Sequence, residues 1–246
     1  MDVKRNTLVN GLLFAAVTAG AIAGSAGDWQ VLGLVCTPLM LIVLSSWFFF
    51  NSRRVGDRFT LLVQAGLFFS LVGDLAFMFQ GRDGFNFILG LAAYFIAHLC
   101  YTVAFALNLF DMEGTGGAII ATALAAGVLL FGVFFTLDLL GNAGVDTALK
   151  VPLGAFAVMM TLMGIFAAYR FKRTFPRSFW LVFVGALLLI LSDVLLADRK
   201  FNLRPIRVPE AWMLLSYALA QFMIAGGCLL HVLDPEMIRK RQALAP

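Results

Sequence analysis

Two aspartates carry most of the chemical interest of this sequence. Asp74 sits in GLFFSLVGDLAFM (66–78) and Asp193 in GALLLILSDVLLA (185–197), each inside a long apolar run. No Lys or Arg lies within five residues of Asp74 to neutralise it. A carboxylate costs about 2.5–3.5 kcal/mol at the centre of a bilayer, and two at matched depth double that cost. Such a pair serves either as hydrogen-bonded structural caps or as reacting groups. Two carboxylates close together in a low dielectric share protons unequally, one protonated and one ionised. That is a general acid beside a general base. It is equally the arrangement of a proton-coupled carrier, so the pair alone leaves catalysis and transport both open.

Polar neighbours accompany the carboxylates. YFIAHL (94–99) and YALAQF (217–222) each place a tyrosine, Tyr94 or Tyr217, four residues before a polar side chain, His98 or Gln221. Tyr94, His98, Tyr101, Phe105 and Asn108 share one helical face. They form either a polar stripe turned away from lipid or the wall of a cavity that substrate reaches. Ser192 adjoins Asp193 and is expected to hydrogen-bond it and favour its ionised form, whereas Gly73 offers Asp74 nothing. This leans towards Asp74 as the acid. Arg199, Lys200, Arg204 and Arg207 are either interfacial anchors snorkelling to headgroups or a phosphate clamp over the mouth of the site.

Other chemistries lack their residues. There are only two histidines, and His231 lies at the far end of the last apolar run, so a zinc hydrolase would be short of imidazoles. No metal and no cofactor is expected. No G-x-S-x-G occurs and no histidine is placed to activate a serine beside either aspartate. A phosphate-cradling glycine loop is also missing. Cys36, Cys100 and Cys228 are odd in number and fall inside apolar runs, as small hydrophobes do.

The elements that must position these groups follow from composition. Of 246 residues 61% are hydrophobic and only 13% charged, with a mean hydropathy of +0.93, whereas a soluble domain carries about a quarter charged residues. The expectation is an all-α, polytopic membrane helical bundle forming one integral membrane domain, 1–246. The net charge of +4 then belongs to membrane-facing loops, and no nucleic acid is expected as a partner. Windows of about 20 residues matched to a bilayer core of about 30 Å give eight transmembrane helices, near 7–24, 29–50, 58–80, 85–109, 117–138, 147–169, 178–197 and 211–233. Lys4 and Arg5 ahead of an apolar run ending in AGAIAGSAG also resemble a secretory leader. Twelve Lys and Arg fall on the side of the termini and six on the other, which predicts both termini cytoplasmic. The basic stretch 199–207 breaks that bias.

Two tandem four-helix repeats, 1–113 and 114–246, are expected. The third and seventh spans both set a glycine eight residues before the aspartate, with Gly73 or Ser192 just ahead of it. The fourth and eighth share the tyrosine pattern, and the second and sixth share Pro38-Leu39 and Pro152-Leu153. An even number of spans per half gives both halves the same topology. Asp74 and Asp193 then meet in the outer half of the bundle, about 9 and 7.5 Å from the helix ends at 1.5 Å per residue. Tyr94 and Tyr217 join that layer, with His98 and Gln221 one turn deeper. Lys150 is the one intramembrane cation within reach.

The stretches SLVGDLAFMF (70–79), AHLCYTVAF (97–105), LSDVLLADRKF (191–201) and SYALAQFMI (216–224) together resemble the YhhN-like lysoplasmalogenases, polytopic enzymes that cleave the vinyl ether bond of lysoplasmalogens. That family often carries Lys-Pro-Leu in the second span, where this chain has Thr37-Pro38-Leu39. The resemblance implies that Asp74 and Asp193 are the catalytic pair. It also implies a lysophospholipid substrate, with a fatty aldehyde and a glycerophospho-ethanolamine or -choline as products. Tyr94, His98, Tyr101, Ser192, Tyr217, Gln221, Arg199, Lys200 and Arg204 are the expected substrate-binding residues. Vinyl ether hydrolysis needs a proton donor, an anion beside an oxocarbenium ion and a base for water, demands that glycosidases meet with two carboxylates. The competing reading is a proton-coupled transporter or lipid scramblase using the same carboxylates. The expected location is the bacterial cytoplasmic (inner) membrane, among membrane lipids; the sequence gives no oligomeric state.

Overall fold

The computed structural model describes residues 6–27, 29–53, 55–79, 84–111, 117–203 and 209–233. Among them are eight long helices: α1 (Thr7–Ala26), α2 (Gln30–Ser52), α3 (Arg58–Met78), α4 (Gly84–Leu107), α5 (Ala118–Gly141), α6 (Thr147–Ala168), α7 (Pro176–Phe201) and α8 (Glu210–Val232). A short 3-10 turn, Asn108–Asp111, extends α4. Each of the eight is long and apolar enough to cross a bilayer, which fits an integral multi-pass membrane protein. Lys4, Arg5, Arg54, Arg82, Arg204, Arg207 and the basic tail Arg239, Lys240 and Arg241 lie outside the described residues.

Local chemistry explains the boundaries. Asn6 caps α1 by accepting from the amides of Leu8 and Val9, Asp57 caps α3 through Thr60 and Asp146 caps α6 through Ala148. These acceptors satisfy amides that a helix start leaves unpaired. Pro176 opens α7, and Asn202 ends it in the left-handed conformation at φ 50°. Within the helices, Thr18, Thr102, Thr136 and Thr161 donate their hydroxyls to carbonyls one turn back. Those hydroxyls are thereby paired where water is scarce. Large apolar side chains such as Ile119 and Val151 face outward, as a lipid-facing surface requires.

Sequence neighbours pair as hairpins, α1–α2, α3–α4, α5–α6 and α7–α8. The helices α8, α3, α4, α6 and α7 each pack on the next and the last returns to α8, closing a ring. The pair α1–α2 lies against α8 and α3, and α5 lies outside on α6. Contacts α2–α3 and α6–α7, like α2–α8 and α4–α6, correspond under the expected repeat. In contrast, α1 packs on α8 with no comparable packing of α5 on α4.

The small-residue run that resembled a leader is a packed part of the bundle. A side chain at Gly24 would collide with the backbone of Gly33, so α1 and α2 cross main chain against main chain, the close approach that small residues allow in membranes. Glycines of α3 do similar work for α4: Gly66 lies against the ring of Tyr101, and Gly73 against the ring of Tyr94.

The pole of the bundle where α4 and α8 end is tied by a buried arginine. Arg170, fully buried, donates from Nε to Asn108 Oδ1 at 2.9 Å and from Nη2 to Ser178 Oγ at 3.2 Å. Ser178 in turn donates to the carbonyl of Gly227 at 2.7 Å, and Asn108 Nδ2 meets His231 Nε2 at 2.9 Å. The guanidinium stands 5.4 Å from the ring centre of Phe105 and 6.0 Å from that of Phe59, within cation–π range. Five segments are thereby joined at one point.

Gly24→Leu is expected to lower stability by about 1–3 kcal/mol or more, because an overpacked crossing must move apart. Gly11→Ala, where a side chain meets nothing within 4 Å, leaves it unchanged. Thermal unfolding of the two variants in detergent measures the difference.

Candidate active site

At the opposite pole α1, α3 and α7 end while α2, α4 and α8 begin. Asp74 lies four residues before the end of α3, about 6 Å at 1.5 Å per residue. Asp193 lies eight before the end of α7, about 12 Å, because α7 runs on to Phe201 rather than stopping near 197. The expected depths of about 9 and 7.5 Å are thus corrected in opposite directions. The two side chains nevertheless line one cavity.

Each aspartate meets side chains from other helices. Tyr94 donates its phenol to Asp74 Oδ1, and Tyr217 donates to Oδ2 at 3.2 Å. Gly73, one residue before Asp74, leaves the space that the Tyr94 ring fills. Both oxygens of the Asp74 carboxyl group thus have a phenol donor, one from α4 and one from α8. Asp193 Oδ2 stands 2.9 Å from His98 Nε2, and neither atom has a hydrogen-bond partner elsewhere among the described residues. The other ring nitrogen of His98, Nδ1, is 2.8 Å from the carbonyl oxygen of Tyr94. A carbonyl only accepts, so Nδ1 carries a hydrogen. One further proton therefore belongs to the His98–Asp193 contact, either on Nε2 as an ion pair or on the carboxyl group itself. The pair is a built-in proton store.

One turn deeper, Gln221 accepts from the Tyr101 phenol at 2.8 Å and donates to Ser70 Oγ at 3.2 Å. These residues are buried and brace α3, α4 and α8 beneath the aspartates. The polar face of α4 thus divides. Tyr94 borders the cavity, His98 and Tyr101 are buried below it, and Asn108 belongs to the Arg170 cluster at the far pole.

The cavity has a volume of about 560 Å³, inside the range of about 300–1,000 Å³ typical of small-ligand sites. Asp74, Asp193, Ser192, Tyr94 and Tyr217 line it, together with Ser25 of α1, Thr37 of α2 and Glu210 of α8. Ser192 does not hydrogen-bond Asp193: its hydroxyl donates to the carbonyl of Met213 on α8 at 3.2 Å. The helix has turned it towards its neighbour, and the sequence argument for Asp74 as the acid loses its basis. Arg199 is held by Glu210 at 2.6 Å, with both side chains substantially exposed. Lys200 sits 4.8 Å from the ring centre of Phe87; neither it nor Arg199 lines the cavity, which Arg199 adjoins only through Glu210. The expected basic clamp is therefore a paired Arg199 beside Glu210, while Arg204 lies outside the described residues. Among the described residues no group of three or more His, Cys, Asp or Glu side chains comes together.

Sequence reasoning missed Glu210 and the contribution of α1 and α2. An acid in the first turn of the last span, facing a basic stretch, was the available signal for Glu210. For Ser25 and Thr37 the only signal was the neighbouring run of small residues.

Compared with known protein families, residues 30–228 match the model of the YhhN family. The chain belongs to the YhhN family. No curated protein and no solved structure matches it. The match of this YhhN protein takes in Asp74, Tyr94, His98, Asp193, Tyr217 and Gln221. It leaves out α1, whose Ala21, Gly24 and Ser25 line the cavity.

In this YhhN protein Gln221→Leu strands two buried hydroxyls, those of Tyr101 and Ser70. Each unsatisfied buried group costs about 1–3 kcal/mol, so the variant should unfold at clearly lower temperature or denaturant concentration than the wild type. A melting curve unchanged from wild type would show that the brace does not hold the bundle.

Proposed function

We propose that this protein is an intramembrane hydrolase that cleaves the vinyl ether of lysoplasmalogen-type lysophospholipids to a fatty aldehyde and a glycerophospho-ethanolamine or -choline. The observation that carries this reading is one cavity walled by two differently partnered carboxylates: Asp74 with two phenols, Asp193 with an imidazole. Membership of the YhhN family, known for lysoplasmalogenase activity, supports it.

The reaction asks for three things, and the chain's own groups answer each. A proton must reach the alkene carbon, and the Asp193–His98 contact holds one. The oxocarbenium ion needs an anion, and Asp74 in its carboxylate form supplies it, with the hydroxyls of Tyr94 and Tyr217 as its donors. Water must lose a proton as it adds, and Asp74 is the base beside the cavity. Preorganised donors and acceptors of this kind work best where water is scarce. At the mouth, Arg199 and Glu210 match a zwitterionic headgroup, the guanidinium towards phosphate and the carboxylate towards ammonium. An exposed ion pair is worth only about 0–1 kcal/mol, so exchanging it for headgroup contacts costs little.

The transport reading asks for access from both faces to the same carboxylates. The described cavity opens near the pole where α1, α3 and α7 end, and the buried Arg170 cluster sits at the other pole, which favours hydrolysis over two-sided access.

Purified protein is expected to release aldehyde from an alkenyl lysophosphoethanolamine. Asp74→Asn and Asp193→Asn should each cut the rate by at least about 10²-fold, the lower end of general acid–base contributions, while eluting as folded protein. Turnover retained in either variant refutes the two-carboxylate mechanism, and wild-type protein that releases no aldehyde refutes the activity.

A further inference from the structure

Beside the polar cavity lies a second space of different character. It is a crevice among α4, α5, α6 and α7, walled mainly by Phe87, Leu91, Phe135, Leu153, Ala197 and Phe201, with Lys200 and Asp193 also lining it. Its free volume is about 30 Å³, room for little more than one or two small groups. The aromatic and aliphatic side chains that dominate its wall suit hydrocarbon. Four residues line both spaces: Phe77, Tyr94, Asp193 and Leu196. Asp74 lines the polar cavity alone.

We propose that the crevice seats the first carbons of the substrate's hydrocarbon chain, and that Asp193 is the acid that protonates carbon. The inference rests on the vinyl ether reading and adds a direction to it. In R–CH=CH–O–glycerol the chain and the glycerol leave from opposite ends of the reacting unit. A molecule with its headgroup at Arg199 and Glu210 and its chain in the crevice carries the double bond across the partition between the two spaces. Vinyl ethers take their proton on the carbon nearer the chain, and Asp193 is the carboxyl group standing on that partition.

The step balances as follows. The O–H bond of Asp193 breaks as a C–H bond forms at the chain-side carbon, and the alkene electrons leave a cation shared between the next carbon and the ether oxygen. Water adds to that carbon and passes a proton to Asp74, giving a hemiacetal. The hemiacetal hydroxyl then returns a proton to Asp193, the carbon–oxygen bond to glycerol breaks, and Asp74 protonates the departing oxygen. Both aspartates regain their starting states, and the sum is one water consumed per aldehyde and alcohol formed. His98 acts through Asp193 as a positioning residue, holding its proton in place.

The chain also has to open its seat. At rest the crevice admits about one methylene-sized group, so the side chains of Leu196 and Phe77 at the partition must part to let the chain through. Bulk next to the ether is therefore read here rather than at the mouth.

The experiment uses the full-length protein in detergent and two sets of probes. Saturated alkyl ether lysophosphoethanolamines with chains of 4, 8 and 16 carbons, which cannot be hydrolysed, report binding without turnover. Ala197→Leu narrows the crevice and is expected to lower the affinity ratio of the 4-carbon probe over chainless glycerophosphoethanolamine at least tenfold, and that of the 16-carbon probe likewise. Phe135→Ala widens it and is expected to raise, at least tenfold, the affinity for a chain bearing a phenyl group near the ether. Ratios within twofold of wild type in both variants overturn the chain seat, whatever the outcome of the aldehyde assay. The second probe is a lysolipid with a secondary ammonium in place of the ether, a mimic of the cation. Asp74→Asn should weaken its binding at least tenfold more than Asp193→Asn does. Equal losses, or the reverse order, overturn the assignment of Asp193 as the acid.

Discussion

A carboxylate enclosed among apolar helices must find its hydrogen-bond partners on other helices, because its own backbone is already committed to the helix. Everything at the open pole follows from that requirement. Asp74 on α3 is met by Tyr94 from α4 and Tyr217 from α8; Asp193 on α7 is met by His98 from α4. Four helices are thus fixed in rotation about their axes by two acidic side chains. Loss of a partner leaves a buried polar group unsatisfied, at about 1–3 kcal/mol each and more for a charge. The glycines of α3 belong to the same constraint, since Gly73 and Gly66 let the rings of α4 approach closely enough to act.

The partners cross between the two halves of the sequence. His98, from the first half, serves Asp193 of the second, and Tyr217, from the second, serves Asp74 of the first. Gln221, which matches His98 in sequence pattern, serves neither aspartate and instead joins Tyr101 to Ser70. The two aspartates therefore differ in their partners: one meets two phenols, the other an imidazole.

Much of this was legible in the sequence. Eight apolar windows gave the eight helices to within a few residues, since length and hydropathy are what a bilayer selects. The extension of α7 to Phe201 escaped because Asp198, Arg199 and Lys200 read as a loop, whereas the helix carries its charged last turn beyond the apolar layer. The rotational setting of a helix is not encoded in spacing, so Ser192 was assigned to its neighbour Asp193 while its hydroxyl reaches Met213 on α8. Glu210 was missed for the same reason: its meaning lies in Arg199 across a helix junction. The share of α1 and α2 in the cavity was hidden because Gly24 and Gly33 act by lacking side chains, which pattern analysis reads as silence.

Arg170 holds α4, α7 and α8 and the turn after α6 at the closed pole by neutral hydrogen bonds, with two aromatic rings against it. Drawing those segments apart would strand a buried guanidinium away from water, and an uncompensated buried charge is among the costliest things a protein can carry.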